Sequence, residues 1–110
     1  MTTTSDLYAE LVAILQKNAL LASCGAVLGW DEHTNMPPGG SELRGNQLAL
    51  ISGMVHERAT HPRVGELLSE LESRSDLSEI PDRVVVVRET RRTYSRQTKL
   101  PQRLVEELSR

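Results

Sequence analysis

The sequence predicts an all-α protein of about five helices in an antiparallel hairpin or bundle arrangement, the first of them long. Three observations carry that expectation. From Ser5 to about Trp30, apolar residues fall at spacings of four and three (Leu7, Leu11, Ile14, Leu21, Leu28), one face of a helix sustained for about seven turns. Prolines and paired glycines punctuate the chain at Pro37-Pro38-Gly39-Gly40, Pro62 and Pro101, between periodic segments. The one strand-like run, Val84 to Val87, has no second run to pair with, and a lone strand is not stable.

Taken in order, the first helix can be capped by Thr4 or Ser5, with Asp6 at the positive end of its dipole. Asn18 and Gly25 share its apolar stripe, and Leu15, Ala22 and Cys24 widen it. A glycine inside a helix costs about 1 kcal/mol relative to alanine, so Gly25 is expected to allow close approach of another helix. Met36 to Gly40 breaks the helix: the two prolines disfavour helical geometry for Met36 and Pro37, and the two glycines permit almost any turn. Ser41 is the expected N-cap of a second helix running to about Thr60, with Leu43, Gln47, Leu50, Ile51, Met54 and Val55 along it. Pro62 suits the first turn of a third helix, whose apolar face is Val64, Leu67, Leu68 and Leu71. "SRSDLSEIPD" reads as a polar connection, and the valine run opens a fourth helix with Val84, Val87 and Tyr94 on one face. Leu100-Pro101 starts a last helix, with Leu104, Val105 and Leu108 apolar. It stops at Arg110 without a terminating residue, as though the chain were cut from something longer.

A chain of 110 residues is expected to be a single helical domain. Its core must be aliphatic, since Phe is absent and only Tyr8, Trp30 and Tyr94 are aromatic. A formal charge of -2 favours neither nucleic acid nor an anionic membrane. Cys24 has no partner for an internal disulfide and sits in an apolar run, so a buried, reduced thiol is expected. The N-terminus has no basic region ahead of its apolar residues and does not read as a signal peptide. No uninterrupted apolar run is long enough to span a bilayer, and a cytoplasmic location is expected.

Three patterns could carry chemistry. "HERATH", His56 to His61, approaches the zinc-protease helix, which needs His at i and i+4 on one face with Glu beside the first. Here the second His comes five residues later, about 140° around a helix, and directly before Pro62, where a helix should end. A surface His and a helix-junction His account for it. "DEH", Asp31 to His33, crowds metal-type ligands together, but adjacent side chains on a helix diverge, and Asp31 reads better as an acceptor for loop N–H groups. Arg83, Arg88, Arg91, Arg92, Arg96 and Lys99 make the fourth helix basic. Only Tyr94 interleaves with them, while Glu66, Glu70, Glu72, Glu106 and Glu107 can neutralise it, so a solvated or ion-paired face is expected and not nucleic acid. No serine sits in a nucleophile-elbow sequence, and there is no CxxC or glycine-rich phosphate loop.

As a pattern, the chain says more. "LLASCGAVLGWDEHTNMPPGG", then "RGNQLALISGMVHERATHPRVGELL", then "VRETRRTYSRQTKLPQRLVEEL" resemble, in order, the beginning of the Taq-type thermostable metallocarboxypeptidases, with their "LGWDxxTxMPPGG" loop and "EQLAxLxxLxHE" helix. The likeness runs from about Leu7 to Leu108. The resemblance implies an all-helical fold and a zinc-dependent peptidase that releases C-terminal amino acids, commonly as a homodimer. In such enzymes a His-Glu-x-x-His helix and a later Glu hold the zinc, beyond the region matched here. The resemblance therefore carries over no catalytic, cofactor-binding or metal residue, and "HERATH" corresponds to a non-catalytic helix. The N-terminal helices are expected to wall or cover a deep substrate groove. Trp30, Asp31, Met36, Pro37 and Pro38 are expected to have a structural role in the loop itself.

Two readings follow. In the first, the chain is the N-terminal helical region of a metallocarboxypeptidase, inactive alone and partnered by the remainder of the polypeptide. In the second it is a free-standing helical module, derived from that family, that covers its apolar surface by forming a homodimer. A third, a metal-binding domain built on His33, His56 and His61, has weaker spacing behind it.

Overall fold

A computed structural model of the chain describes residues 2–34, 40–99 and Glu106. These form four α-helices, α1 (Thr4–Thr34), α2 (Ser41–Ala59), α3 (Pro62–Glu72) and α4 (Pro81–Thr98), with a short 3-10 helix at Ser75–Glu79 and no strand among the described residues. The all-α expectation holds. The count of about five becomes four helices and a 3-10 turn. The fifth helix lies outside the described residues except for Glu106, which is helical. By contact the chain divides into two compact units, Met1–Gln16 with Ala59–Lys99, and Lys17–Arg58 with Leu100–Arg110.

The first unit is built on the apolar faces of α3 and α4 and the start of α1. Leu7 and Leu11 of α1, all four predicted residues of α3, and Val87 of α4 are buried together, with Leu77 of the 3-10 helix beside them. Val84 and Tyr94 pack against this cluster half-buried, so the valine run is helical with the expected face inward. "SRSDLSEIPD" is more than a polar connection: its one central leucine, Leu77, anchors it to the core. Polar contacts fix the ends. Thr3 Oγ1 accepts from the Asp6 N–H at 3.1 Å while Asp6 Oδ2 accepts from the Thr3 N–H at 3.2 Å, a reciprocal box that caps α1. Thr3 is thus the cap, not Thr4 or Ser5. Thr4 is buried instead, its hydroxyl donating to Asp76 Oδ1 at 2.7 Å, and Ser5 Oγ accepts from Arg83 at 3.1 Å. Pro62 occupies the first turn of α3, and the side chain of His61 caps it.

The second unit contains the rest of α1 and α2, running antiparallel. A Cβ added at Gly25 would lie 3.2 Å from Ile51 Cγ2, so Gly25 does permit a close approach between helices. Nearer the end of α1 and the start of α2, Arg44 Nη1 donates to the Leu28 carbonyl at 2.9 Å, and its Nε donates to Gln47 Oε1 at 2.8 Å. Ala49, Gly53 and His56 are buried on another side of α2, and the position of a Cβ on Gly53 is taken by the Glu106 side chain.

Three expectations change. The first helix does not end near Trp30 but continues through Asp31-Glu32-His33-Thr34, because nothing in that stretch breaks a helix before the prolines. Cys24 is exposed, not buried: it shares a row of α1 with Leu20 and Val27, turned aside from α2. Finally, Thr4–Trp30 contains an 18-residue stretch of mean hydropathy 1.6 and is by length and composition alone apolar enough to cross a membrane, although Leu7 and Leu11 near its start belong to the buried core.

Candidate functional site

Each residue pattern singled out in the sequence finds a separate place. Trp30 stands on α1 and is 65 % exposed. Asp31 is helical, its side chain outside the described set, and Met36, Pro37 and Pro38 lie outside the described residues altogether. Just before this stretch, Arg44 of α2 reaches the Leu28 carbonyl. Its guanidinium crosses from α2 to α1, Nη1 donating to the carbonyl of Leu28, six residues before the helix ends at Thr34. Sequence reading missed Arg44. The signal was available in its position, three residues after Ser41 at the start of the helix that returns along α1.

"HERATH" does not lie on one helix face. His56 is on α2 and buried. His61 is outside both helices, and its Nδ1 accepts the Arg63 N–H at 3.0 Å as the cap of α3. That lone pair is engaged by the backbone, which explains why a histidine serves between two helices. Among the described residues no three His, Cys, Asp or Glu side chains converge as a metal would require. His33, the third histidine, has its side chain outside the described set.

The basic helix α4 resolves into distinct environments. Arg91 forms a two-point pair with Glu72, Nη2 to Oε1 at 2.8 Å and Nε to Oε2 at 3.0 Å, and also reaches Ser69 Oγ. That pairing, led by the hydrogen bonds to Glu72, raises the Arg91 pKa further. Arg83 stacks 4.9 Å over the ring of Tyr8. Arg88 and Arg92 stay mostly exposed, within 3.8 and 3.9 Å of Glu89. A second fork, not foreseen, is Arg63 on Glu10: Nε to Oε2 at 2.6 Å, Nη2 to Oε1 at 2.8 Å, with Glu66 accepting from Nη1 at 3.1 Å. Hydrogen bonding to Arg63 holds the Glu10 carboxyl below its ordinary value. The Glu10–Arg63 and Glu72–Arg91 forks join α1, α3 and α4, whereas Glu66 and Glu89 pair with arginines of their own helices.

The first unit has a surface cavity of about 200 Å³ lined by Leu15, Val64, Thr90, Thr93 and Tyr94 among others. Its walls are chiefly apolar, and no nucleophile with an adjacent base faces it.

The fold and its polar contacts thus define a helical scaffold without an assembled reaction centre among the described residues. The family model of the carboxypeptidase Taq (M32) metallopeptidases matches residues 10–110. The chain belongs to that family. It is similar to thermostable carboxypeptidase 1 of Thermus thermophilus, with 40% identity over 104 residues, covering 93% of this chain and 20% of that protein. The chain thus spans about a fifth of the length of the curated relative it matches.

Proposed function

We propose that the chain supplies the N-terminal helices of a zinc-dependent metallocarboxypeptidase that releases C-terminal amino acids from peptides, and that it is not catalytic on its own. The observation that carries this reading is the match to the M32 family along nearly the whole chain, coupled with the absence of His-Glu-x-x-His from its sequence. The name of the Thermus relative, a carboxypeptidase, supports the reaction class. In this reading zinc is held by residues of the remaining polypeptide, which is the partner of these helices. The residues described above contribute rigidity: the Glu10–Arg63 and Glu72–Arg91 forks tie helices together, and Arg44 fixes the end of α1 that leads into the loop.

The test is a graft. The region of the Thermus enzyme that aligns with this chain is replaced by this sequence, and zinc-dependent release of a C-terminal residue from a blocked peptide is measured. The expected result is a folded, zinc-loaded chimera that retains the activity. A folded, zinc-loaded chimera without activity would overturn the proposal.

A further inference from the structure

Residues 81–99 hold six cations, Arg83, Arg88, Arg91, Arg92, Arg96 and Lys99, against two acids, Asp82 and Glu89, in a chain whose formal charge is -2. The fold engages two of the six. Arg91 forks onto Glu72, and Arg83 donates to Ser5 and stacks on Tyr8. The other four are exposed. At spacings of four, four and three, Arg88, Arg92, Arg96 and Lys99 fall within about 80° of one another around α4 and rise over roughly 16 Å. Glu89 stands 3.8 Å from Arg88 and 3.9 Å from Arg92, too far for a hydrogen bond to either. Arg96 and Lys99, the latter at the C-cap of α4, make no ion pair among the described residues. The helix dipole favours cations in the last turn, which accounts for Arg96 and Lys99. It does not account for Arg88 and Arg92, and like charges four residues apart on a helix repel. Among the described residues, Glu89 alone approaches them to offset that repulsion.

We infer that this row docks an acidic α-helix of another polypeptide, one with Glu or Asp at every fourth position. Charge complementarity and spacing carry the inference. A guanidinium pairs two-point with a carboxylate, and the chain already joins its own helices that way, Glu10 to Arg63 and Glu72 to Arg91. Four residues of α-helix rise about 6 Å and turn about 40°. Carboxylates four residues apart on a partner helix therefore repeat at the pitch of the row and drift around the axis at the same rate. Two such rows lie side by side when the helices cross at about -50°. Val85, 46% exposed, lies on the same side of α4 ahead of Arg88 and offers an apolar foot at one end of the row. The row itself holds no aromatic side chain on which a nucleic-acid base could stack. Exposed ion pairs are individually weak and screened by salt, so the contact is reversible and strongest at low ionic strength. The inference concerns α4 of this chain and does not rest on the carboxypeptidase reading; the graft above and the measurement below fail independently.

The test is fluorescence anisotropy of a labelled helical peptide, with Glu at every fourth position and Ala and Gln between, titrated with the 110-residue protein at about 20 mM salt. Saturable binding is expected, weakened about fivefold or more when salt is raised to about 150 mM. Arg92→Glu and Arg88→Glu, both at exposed positions, should each weaken it about tenfold. Lys17→Glu makes the same change of charge at an exposed position on α1 and should leave binding within about twofold of the wild type. A peptide of the same composition with its Glu residues contiguous, and so spread around the helix, should bind about fivefold more weakly. Absence of binding, equal binding of the two peptides, or an Arg92→Glu variant that binds like the wild type overturns the proposal. So does a single-stranded oligonucleotide of equal charge that binds more tightly than the first peptide, which would assign the row to phosphates.

Discussion

Gly65 faces the phenol of Tyr94 so closely that a side chain at that position requires the ring to move: a Cβ there would lie 2.7 Å from the hydroxyl oxygen and 3.0 Å from Cζ. Replacing an interior helical glycine by alanine ordinarily gains about 1 kcal/mol. At Gly65 the phenol must shift to admit the methyl, so Gly65→Ala should forfeit part or all of that gain in denaturant unfolding. The same change made in a Tyr94→Leu background should recover most of that loss, which distinguishes a steric cause from a helix-propensity one. His61 is a second residue whose work is local. His61→Ala should cost about 1 kcal/mol through loss of the α3 cap, and His61→Asp should not, because a carboxylate accepts the Arg63 N–H as well as the imidazole does. At Glu10 the effect is one of pH. Its carboxyl is held below the ordinary 4.5 by Arg63, so the unfolded chain takes up the proton first on acidification. The stabilisation is complete above the ordinary value and is lost as pH falls through the lower folded-state value. Glu10→Gln should flatten the acid limb of a stability–pH curve and leave the limb above neutrality unchanged.

Among the elements, α4 shows how much a helix assignment can be read from sequence and where the reading stops. Four consecutive valines favour a strand locally, but they lie in a helix, with Val87 buried, Val84 half-buried and Val85 exposed. Absence of a pairing partner outweighed local preference, an inference available without coordinates. Val87→Ala should therefore cost roughly 2 kcal/mol in thermal or denaturant unfolding, and Val85→Ala should stay within about 0.5 kcal/mol of the wild type. The face of α3 was equally legible, because its four apolar residues fit one stripe and no other. The first helix was less so. Its residues are apolar on more than one side, so periodicity alone could not say which side the chain itself covers; Cys24 and Leu20 fell on the uncovered one. The cap at Thr3 was hidden by four candidate residues in a row, Thr2 to Ser5, and only the reciprocal bond with Asp6 separates them.

For the molecule as a whole, legibility divides between scaffold and chemistry. The order of helices follows from proline placement and apolar spacing. The family was legible from three motif blocks in sequence. Chemistry was less so: of the residues that looked chemical, His61 caps a helix and Arg91 is held by Glu72, while the side chains of Asp31 and His33 lie outside the described residues. The central claim is that these helices frame a metallocarboxypeptidase and do not themselves cut peptide bonds. The most direct measurement is amino-acid release from the C-terminus of an unstructured peptide by the purified 110-residue protein, with and without added zinc. No release above the zinc-only blank is expected. Zinc-dependent release that follows the protein through purification, and is abolished by a chelator, would contradict the account.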